Sequence, residues 1–348
     1  MEKYLLILLL SLLSFPQSGY SQQNDDAIKV LFIGNSFTYM NDMSSMFEKM
    51  AKKSGKEVIV ESNTKGGANF KEHTGRKDMY EAISKRQWDY IILQGYSREL
   101  SFPVEYMDTA TFPYVDQILE AIYENNTCTN VMFYMTWGYE EGYPSREEIK
   151  TFEMMADTIR NGYKAMGELY NLPVVPVGMV WKQLRLDKGY NFYINDKFHP
   201  NTNGSFLVAS SFYSAIFNEQ NKEYRPFGVS RRIAKNITKT AFEYVSENAE
   251  EYRLDHNYMF VQFDERKKKN STVTYDAGFE DASRYIWKFG DGDSTLNQSG
   301  VHKFDLPGEY KITLEVESDC GMRQYHQTVH VQSIERARRT RRRDEKED

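Results

Sequence analysis

The stretch "VLFIGNSFTYM", residues 30–40, decides how the chain folds. Four apolar residues run without alternation into Gly34, and Asn35, Ser36, Phe37 and Thr38 follow. An unbroken apolar run closed by a glycine fits a strand buried on both faces, as in a parallel sheet covered by helices. Ser36 stands just past the end of that strand. Ser and Asn are ordinary helix starters, so the serine reads either as the cap of the next helix or as a nucleophile exposed at the sheet edge.

Working outward, the same texture repeats. Met43, Met46, Phe47 and Met50 recur at helical spacing before Gly55. "EVIVES" reads as a second strand, "MYEAISKRQ" as short helical turns and "WDYIILQG" as a third strand. Val115, Ile118, Leu119 and Ile122 share one helical face, and "NVMFYMTW" reads as a fourth strand. A long helix is predicted over "SREEIKTFEMMADTIRNGYKAMGELY", opened by a capping box of Ser145 and Glu148. "LPVVPVGMVW" reads as the fifth strand, and a last helix is predicted over about 203–217. Apolar strands alternating with amphipathic helices predict a three-layer α/β/α domain around a parallel sheet. In such sheets the site lies beyond the carboxyl ends of the strands, where Gly34 to Thr38 and Gln94 to Arg98 fall.

After about residue 250 helical periodicity is lost. "STVTYDAG", "RYIWKFGDGDS", "HKFDLPGEYKITLEVES" and "YHQTVHVQ" read as short strands separated by turn residues, the pattern of a small all-β, immunoglobulin-like sandwich. The reading is therefore a leader at 1–21, an α/β domain at 28–250, a β-sandwich at 256–333 and a charged, disordered tail at 334–348. The leader has Lys3, an apolar run, and small residues at Gly19 and Ser21, which predicts cleavage after Ser21 and a secreted or periplasmic protein. A membrane anchor is the competing reading, but the run is short of the ~20 apolar residues a span needs. A net charge of −6 argues against a nucleic-acid partner. Cys128 and Cys320 lie far apart and in different domains, and are expected to be unpaired. No cofactor and no metal site is expected.

A second polar cluster bears on Ser36. "YINDKFHPNTNGSFLVA" carries Asp196 and His199 just before the last helix. A carboxylate three residues before a histidine can hold Nδ1 and leave Nε2 as a base. His199 would then take the proton of Ser36, with Asp196 orienting it. Two further segments suit an oxyanion role: "NTKGGANF", where Gly66 or Gly67 could present an N–H, and "ILQGYS", where Gln94 could donate from its amide.

These pieces, in this order, resemble the SGNH/GDSL hydrolase superfamily over about 28–217. The matching blocks are Gly34-Asn35-Ser36, Gly66-Gly67, Leu93-Gln94-Gly95 and Asp196-Lys197-Phe198-His199. Asn35 stands where the family has aspartate, and Gln94 where asparagine is expected. The resemblance implies a flavodoxin-like three-layer fold and a serine esterase mechanism without metal. It implies Ser36, His199 and Asp196 as the triad and an oxyanion hole from Ser36, Gly67 and Gln94. "YIWKFGDGDSTLNQSGVHKFDLPGEYKITLEVESDCG" resembles a PKD domain, through Trp287, Phe289, Gly290, Asp291, Gly292, His302, Phe304, Pro307, Gly308 and Tyr310. That resemblance implies a spacer or a contact with glycan or cell surface. The leading expectation is an esterase that deacylates a carbohydrate, acting on a small ester or an acylated glycan. A lipid or other small-ester hydrolase and a non-catalytic glycan-binding or adhesion protein remain as alternatives.

Overall fold

The computed structural model describes residues 27–222, 227–254, 259–263, 271–277 and 282–331. The leader at 1–21 and the tail at 334–348 lie outside the described residues. The N-terminal part alternates strand and helix as expected. The run is β1 (Ile28–Gly34), α1 (Ser36–Tyr39), α2 (Met43–Lys53), β2 (Val58–Thr64), α3 (Phe70–Thr74), α4 (Lys77–Ser84) and β3 (Tyr90–Leu93). There follow α5 (Val104–Ala110), α6 (Phe112–Asn125), β4 (Asn130–Tyr134), α7 (Phe152–Tyr170), β5 (Val174–Val175), α8 (Val177–Lys188), α9 (Thr202–Phe217) and α10 (Arg231–Glu247).

All five strands pair in parallel, in the order β2-β1-β3-β4-β5. Helices cover both faces, with α2, α9 and α10 packed together and α3, α4 and α6 forming another group. This is the α/β/α architecture that the sequence leads one to expect. The order reverses at β1, which has β2 on one side and β3 on the other. The carboxyl ends of β1 and β3 lie side by side, Ile33 opposite Leu93, and form the switch point where open sheets of this kind bind ligands.

Two local expectations are corrected, and two features extend the reading. The box of Ser145 and Glu148 does not open α7. Residues Glu147–Ile149 form a 3-10 turn, and the cap is Thr151, whose Oγ1 accepts from the Met154 N–H at 3.2 Å. Tertiary contacts hold the preceding segment as a loop: Arg146 donates to Ser101 Oγ at 3.1 Å and to its carbonyl at 2.8 Å, and stacks over Phe102. The fifth strand is only Val174–Val175, because Pro176 lacks an N–H and its carbonyl starts α8. Helix α10 is an addition to the expected elements, although Ala234, Ile237, Thr238, Ala241 and Val245 carry a helical stripe and are all buried. Finally, the core of the α/β part runs past residue 250. Tyr252 and Leu254 are buried in it, the Tyr252 carbonyl accepts from Val174 N–H at 2.9 Å, and its hydroxyl accepts from Arg160 Nε at 3.0 Å.

The C-terminal part is a β-sandwich. β6 (Met259–Phe263), β7 (Thr272–Ala277) and β10 (Ser299–Lys303) form one sheet in the order β10-β7-β6. β8 (Arg284–Lys288), β9 (Ser294–Thr295), β11 (Gly308–Ser318) and β12 (Gly321–Val331) form the other in the order β12-β11-β8-β9. Tyr275, Trp287, Phe289, Phe304, Ile312 and Leu314 fill the core between them. The acidic turn is hydrogen-bonded: Asp291 accepts from the Asp293 N–H at 3.1 Å and meets His302 Nε2 at 2.7 Å.

The two cysteines are not unpaired. Cys128 and Cys320 form a disulfide with Cα atoms 5.3 Å apart. Cys128 sits between α6 and β4, and Cys320 in the turn joining β11 to β12. Their separation of 192 residues hid the pairing, since distance along the chain sets no lower bound on distance in space.

The buried position of Tyr252 and Leu254 predicts where the α/β part can be cut. With Cys128→Ser in both, a chain ending at 250 is expected to melt roughly 6–24 °C below one ending at 254, since each side chain contributes about 1.5–3 kcal/mol. Equal melting temperatures would place these two residues outside the cooperative unit.

Candidate active site

Ser36 is not the cap of the helix that follows it. That work falls to Asn35, whose Oδ1 accepts from the Phe37 N–H at 3.1 Å. Ser36 is the first helical residue, so its own N–H has no intrahelical acceptor, and its hydroxyl is free for other use. Ser36 Oγ lies 2.8 Å from His199 Nε2, and His199 Nδ1 lies 2.7 Å from Asp196 Oδ2. A carboxylate can only accept, so the Nδ1 proton faces Asp196 and Nε2 is left as the acceptor for the serine proton. Burial pushes the Asp196 carboxyl up, but the His199 N–H at 3.0 Å, the imidazole and the Phe198 N–H at 3.1 Å outweigh it and hold the group below the ordinary range.

The loop carrying Asp196 and His199 is clamped by the segment after β4, which sequence reasoning missed. Trp137 Nε1 donates to the Phe198 carbonyl at 3.0 Å. The Glu140 N–H donates to the Lys197 carbonyl at 2.8 Å, and Tyr193 Oη donates to the Gly138 carbonyl at 2.6 Å. Lys197 also pairs with Glu141. These bonds support Lys197 at φ +69°, in the left-handed region, where a lysine has no intrinsic preference to be. Trp137 is itself fixed, stacked between Phe37 at 4.2 Å and Trp181 at 4.1 Å. One aromatic stack therefore reaches from the residue after the serine to the loop that brings the histidine.

Ser36 and His199 open into a cavity of about 350 Å³, which Gly67, Tyr96, Ser97 and Tyr139 also line. Gly67 has φ +70°, a conformation that favours glycine. Asn35 ties this glycine loop to the end of β3, because its Nδ2 donates to the Ala68 carbonyl at 3.0 Å and the Gly95 carbonyl at 3.1 Å. An aspartate could accept from Phe37 but would set a carboxylate against those two carbonyl oxygens, which accounts for asparagine here.

Gln94 does not have the place expected of it. Its side chain is buried beneath the cavity rather than lining it. Oε1 accepts from the Asn35 N–H at 3.0 Å and from Thr38 Oγ1 at 2.8 Å, while Nε2 donates to the Gly95 carbonyl. The extra methylene lets the amide fold back under β1. Gly34 is required by the same approach, since a Cβ there would lie 2.6 Å from Gln94 Oε1 and 2.5 Å from Thr38 Oγ1. The role of oxyanion donor assigned to Gln94 is therefore withdrawn.

Glu99 is a further buried group that the sequence did not single out. Its carboxylate accepts from the Tyr96 N–H at 2.8 Å and the Phe70 N–H at 3.3 Å, and so joins the loop after β3 to the start of α3. Burial raises its pKa to about 7, against the lowering effect of those two N–H groups.

These contacts fix two expected outcomes. Gln94→Ala leaves two buried donors without acceptors and is expected to cost about 2–4 kcal/mol of stability, read as a fall in melting temperature. A variant that melts like the parent but loses kcat alone would return Gln94 to the catalytic machinery. For Glu99, the folded-state pKa lies above the unfolded one, so its contribution is fully present below about pH 4.5 and is lost as pH rises through 7. Relative to Glu99→Gln, the parent is expected to lose roughly 3 kcal/mol of unfolding free energy between pH 4.5 and 8. A difference that stays constant with pH would overturn this assignment.

Residues 258–333 match the family model of the PKD domain. No curated protein matches the chain. Among solved structures, the fold is similar to that of a DUF4886 family protein from Bacteroides uniformis, with a TM-score of 0.56 at 22% identity over 66% of this chain and 97% of that one. An acetylxylan esterase from Geobacillus stearothermophilus aligns with a TM-score of 0.40 at 15% identity, over 54% of this chain and 94% of that one. LAE5, an alpha/beta hydrolase enzyme from the metagenome of Lake Arreo in Spain, aligns with a TM-score of 0.40 at 14% identity, over 54% and 95%. Likenesses this distant carry no argument about chemistry. The N-terminal part thus has the three-layer fold expected of an SGNH-like domain, and the C-terminal part matches the PKD domain.

Proposed function

We propose that the chain is a serine esterase acting through Ser36, His199 and Asp196. The observation that carries this reading is the unbroken line of contacts from Ser36 Oγ through His199 to Asp196, at 2.8 and 2.7 Å, opening into a cavity at the switch point of the sheet. His199 Nε2 takes the serine proton as Oγ bonds to the acyl carbon. The Ser36 and Gly67 N–H groups are the donors for the oxyanion that forms. The imidazolium, held by Asp196, returns the proton to the departing alkoxide, which leaves as an alcohol. A water molecule then repeats the sequence on the acyl-enzyme, releasing the acid and restoring Ser36.

The substrate we favour is an acylated carbohydrate. Tyr39, Tyr96, Tyr139 and Phe198 wall the cavity, and aromatic faces, negative at the centre of the ring, suit the C–H faces of a sugar. The leader at 1–21 and the PKD-like part support an extracytoplasmic enzyme that meets glycan or cell surface. The competing reading is a lipid or small-ester hydrolase.

Ser36→Ala is expected to abolish both p-nitrophenyl acetate hydrolysis and labelling by a fluorophosphonate, with the melting temperature little changed. His199→Ala should lower kcat by roughly 10³-fold or more. Parent-like turnover in Ser36→Ala would sink the mechanism. A kcat/KM on p-nitrophenyl palmitate exceeding that for acetate release from acetylated xylan would favour the lipid reading.

A further inference from the structure

Withdrawing Gln94 leaves the proposed oxyanion hole with two backbone donors, Ser36 and Gly67, both lining the cavity. The loop after β3 continues to Ser97, and there a polar side chain does line the cavity. Ser97 is 4% exposed, and its carbonyl is pinned by Thr136 Oγ1 at 3.1 Å. Its Oγ lies 2.6 Å from Tyr139 Oη, on the segment after β4. Both oxygens thus sit at carboxyl ends of strands, in the same cavity as Ser36.

Two hydroxyls in contact carry two protons between them and use only one for their mutual bond. The other is left to donate. Burial raises the Tyr139 phenol, which keeps its proton on at neutral pH. Behind the pair stands a cation. Arg98 Nη2 donates to Tyr96 Oη at 3.3 Å, and the guanidinium stacks over Tyr143 at 3.8 Å. Among the described residues no carboxylate pairs with Arg98. Its charge is therefore not neutralised by a neighbouring acid and favours negative charge arising in the cavity.

We propose that the Ser97–Tyr139 hydroxyl pair supplies the third donor to the oxyanion, in the place where Gln94 was expected, with Arg98 polarising the cluster from behind. This rests on the serine esterase reading of the site. The geometry that favours it is the direction of each bond. Arginine can only donate, so Tyr96 Oη accepts from it, and the Tyr96 hydroxyl in turn reaches the Ser97–Tyr139 pair, which lines the cavity. A donor of this kind acts on the transition state more than on the bound ester, so its loss should appear in kcat.

The test uses the full chain with p-nitrophenyl acetate. Ser97→Ala and Tyr139→Phe are each expected to lower kcat, the larger effect reaching roughly 10²-fold, with KM within about threefold and melting temperature nearly unchanged. The double variant should be little worse than the poorer single one, because the pair acts as a unit. Inhibition by methylboronic acid, whose tetrahedral anion imitates the intermediate, should weaken in step with kcat/KM across these variants. If Ser36→Ala is inactive while both hydroxyl variants keep kcat within threefold of the parent, this proposal is wrong and the esterase reading stands. If Ser36→Ala is as active as the parent, the esterase reading itself fails. A loss of kcat with unchanged boronate affinity, or with a matching fall in melting temperature, would assign the pair a structural role and overturn the proposal.

Discussion

The site depends on a buried amide knot where β1 and β3 end. Gln94 Oε1 takes the Asn35 N–H and the Thr38 hydroxyl, and Asn35 Nδ2 takes the Ala68 and Gly95 carbonyls. Two neutral side chains thereby fasten three loops at one point: the turn after β1, the glycine loop after β2 and the loop after β3. Each polar atom in the knot is buried, so each would cost free energy if left unpaired. Ser36 stands next to this knot and inherits its rigidity. Ser36 is placed less by its own helix, which is only four residues long, than by the amides of Asn35 and Gln94.

The main outlines of this are legible in the sequence, for physical reasons. Strands such as "VLFIG" are buried on both faces, and a continuous apolar run of that kind would be costly wherever water reached one of them. Asp196 and His199 are legible because three residues is the span over which a carboxylate can reach a following imidazole. Gln94 misleads because residue type and position along a strand fix the end of the chain segment but not the torsion of a flexible side chain. One methylene is enough to turn the amide inwards. The cap of α7 misleads for a related reason: Ser145 and Glu148 have the right types and spacing, yet Arg146 anchored on Ser101 holds the backbone off the helix. Tertiary contacts decide the matter over local preference. Trp137 and Tyr139 give no signal at all, since an aromatic past a buried strand reads as core.

The placement of His199 depends on a similar division of labour. A histidine on a surface loop would sample many orientations, at a cost in entropy each time it met the serine. Here the loop closes through Lys197 in a left-handed conformation, and the segment 137–141 holds its carbonyls from one side. The same segment carries Trp137, stacked on Phe37 next to Ser36, and Tyr139, in contact with Ser97. The loop after β4 is therefore common to His199, Ser36 and the cavity wall. Strain accepted at Lys197 is offset by hydrogen bonds made elsewhere, as is usual where a site must be preorganised.

The disulfide sets how the second unit can relate to this chemistry. Cys128 lies just before β4, at the amino end of the strand, whereas Trp137 and Tyr139 lie past its carboxyl end. A strand of five residues spans roughly 17 Å. The bond to Cys320 therefore fastens the tip of the β11–β12 turn to the end of the sheet opposite the cavity. The Ser36 cavity lies at the carboxyl ends of the strands, so the disulfide makes no use of the end of the sheet where Ser36 and His199 meet.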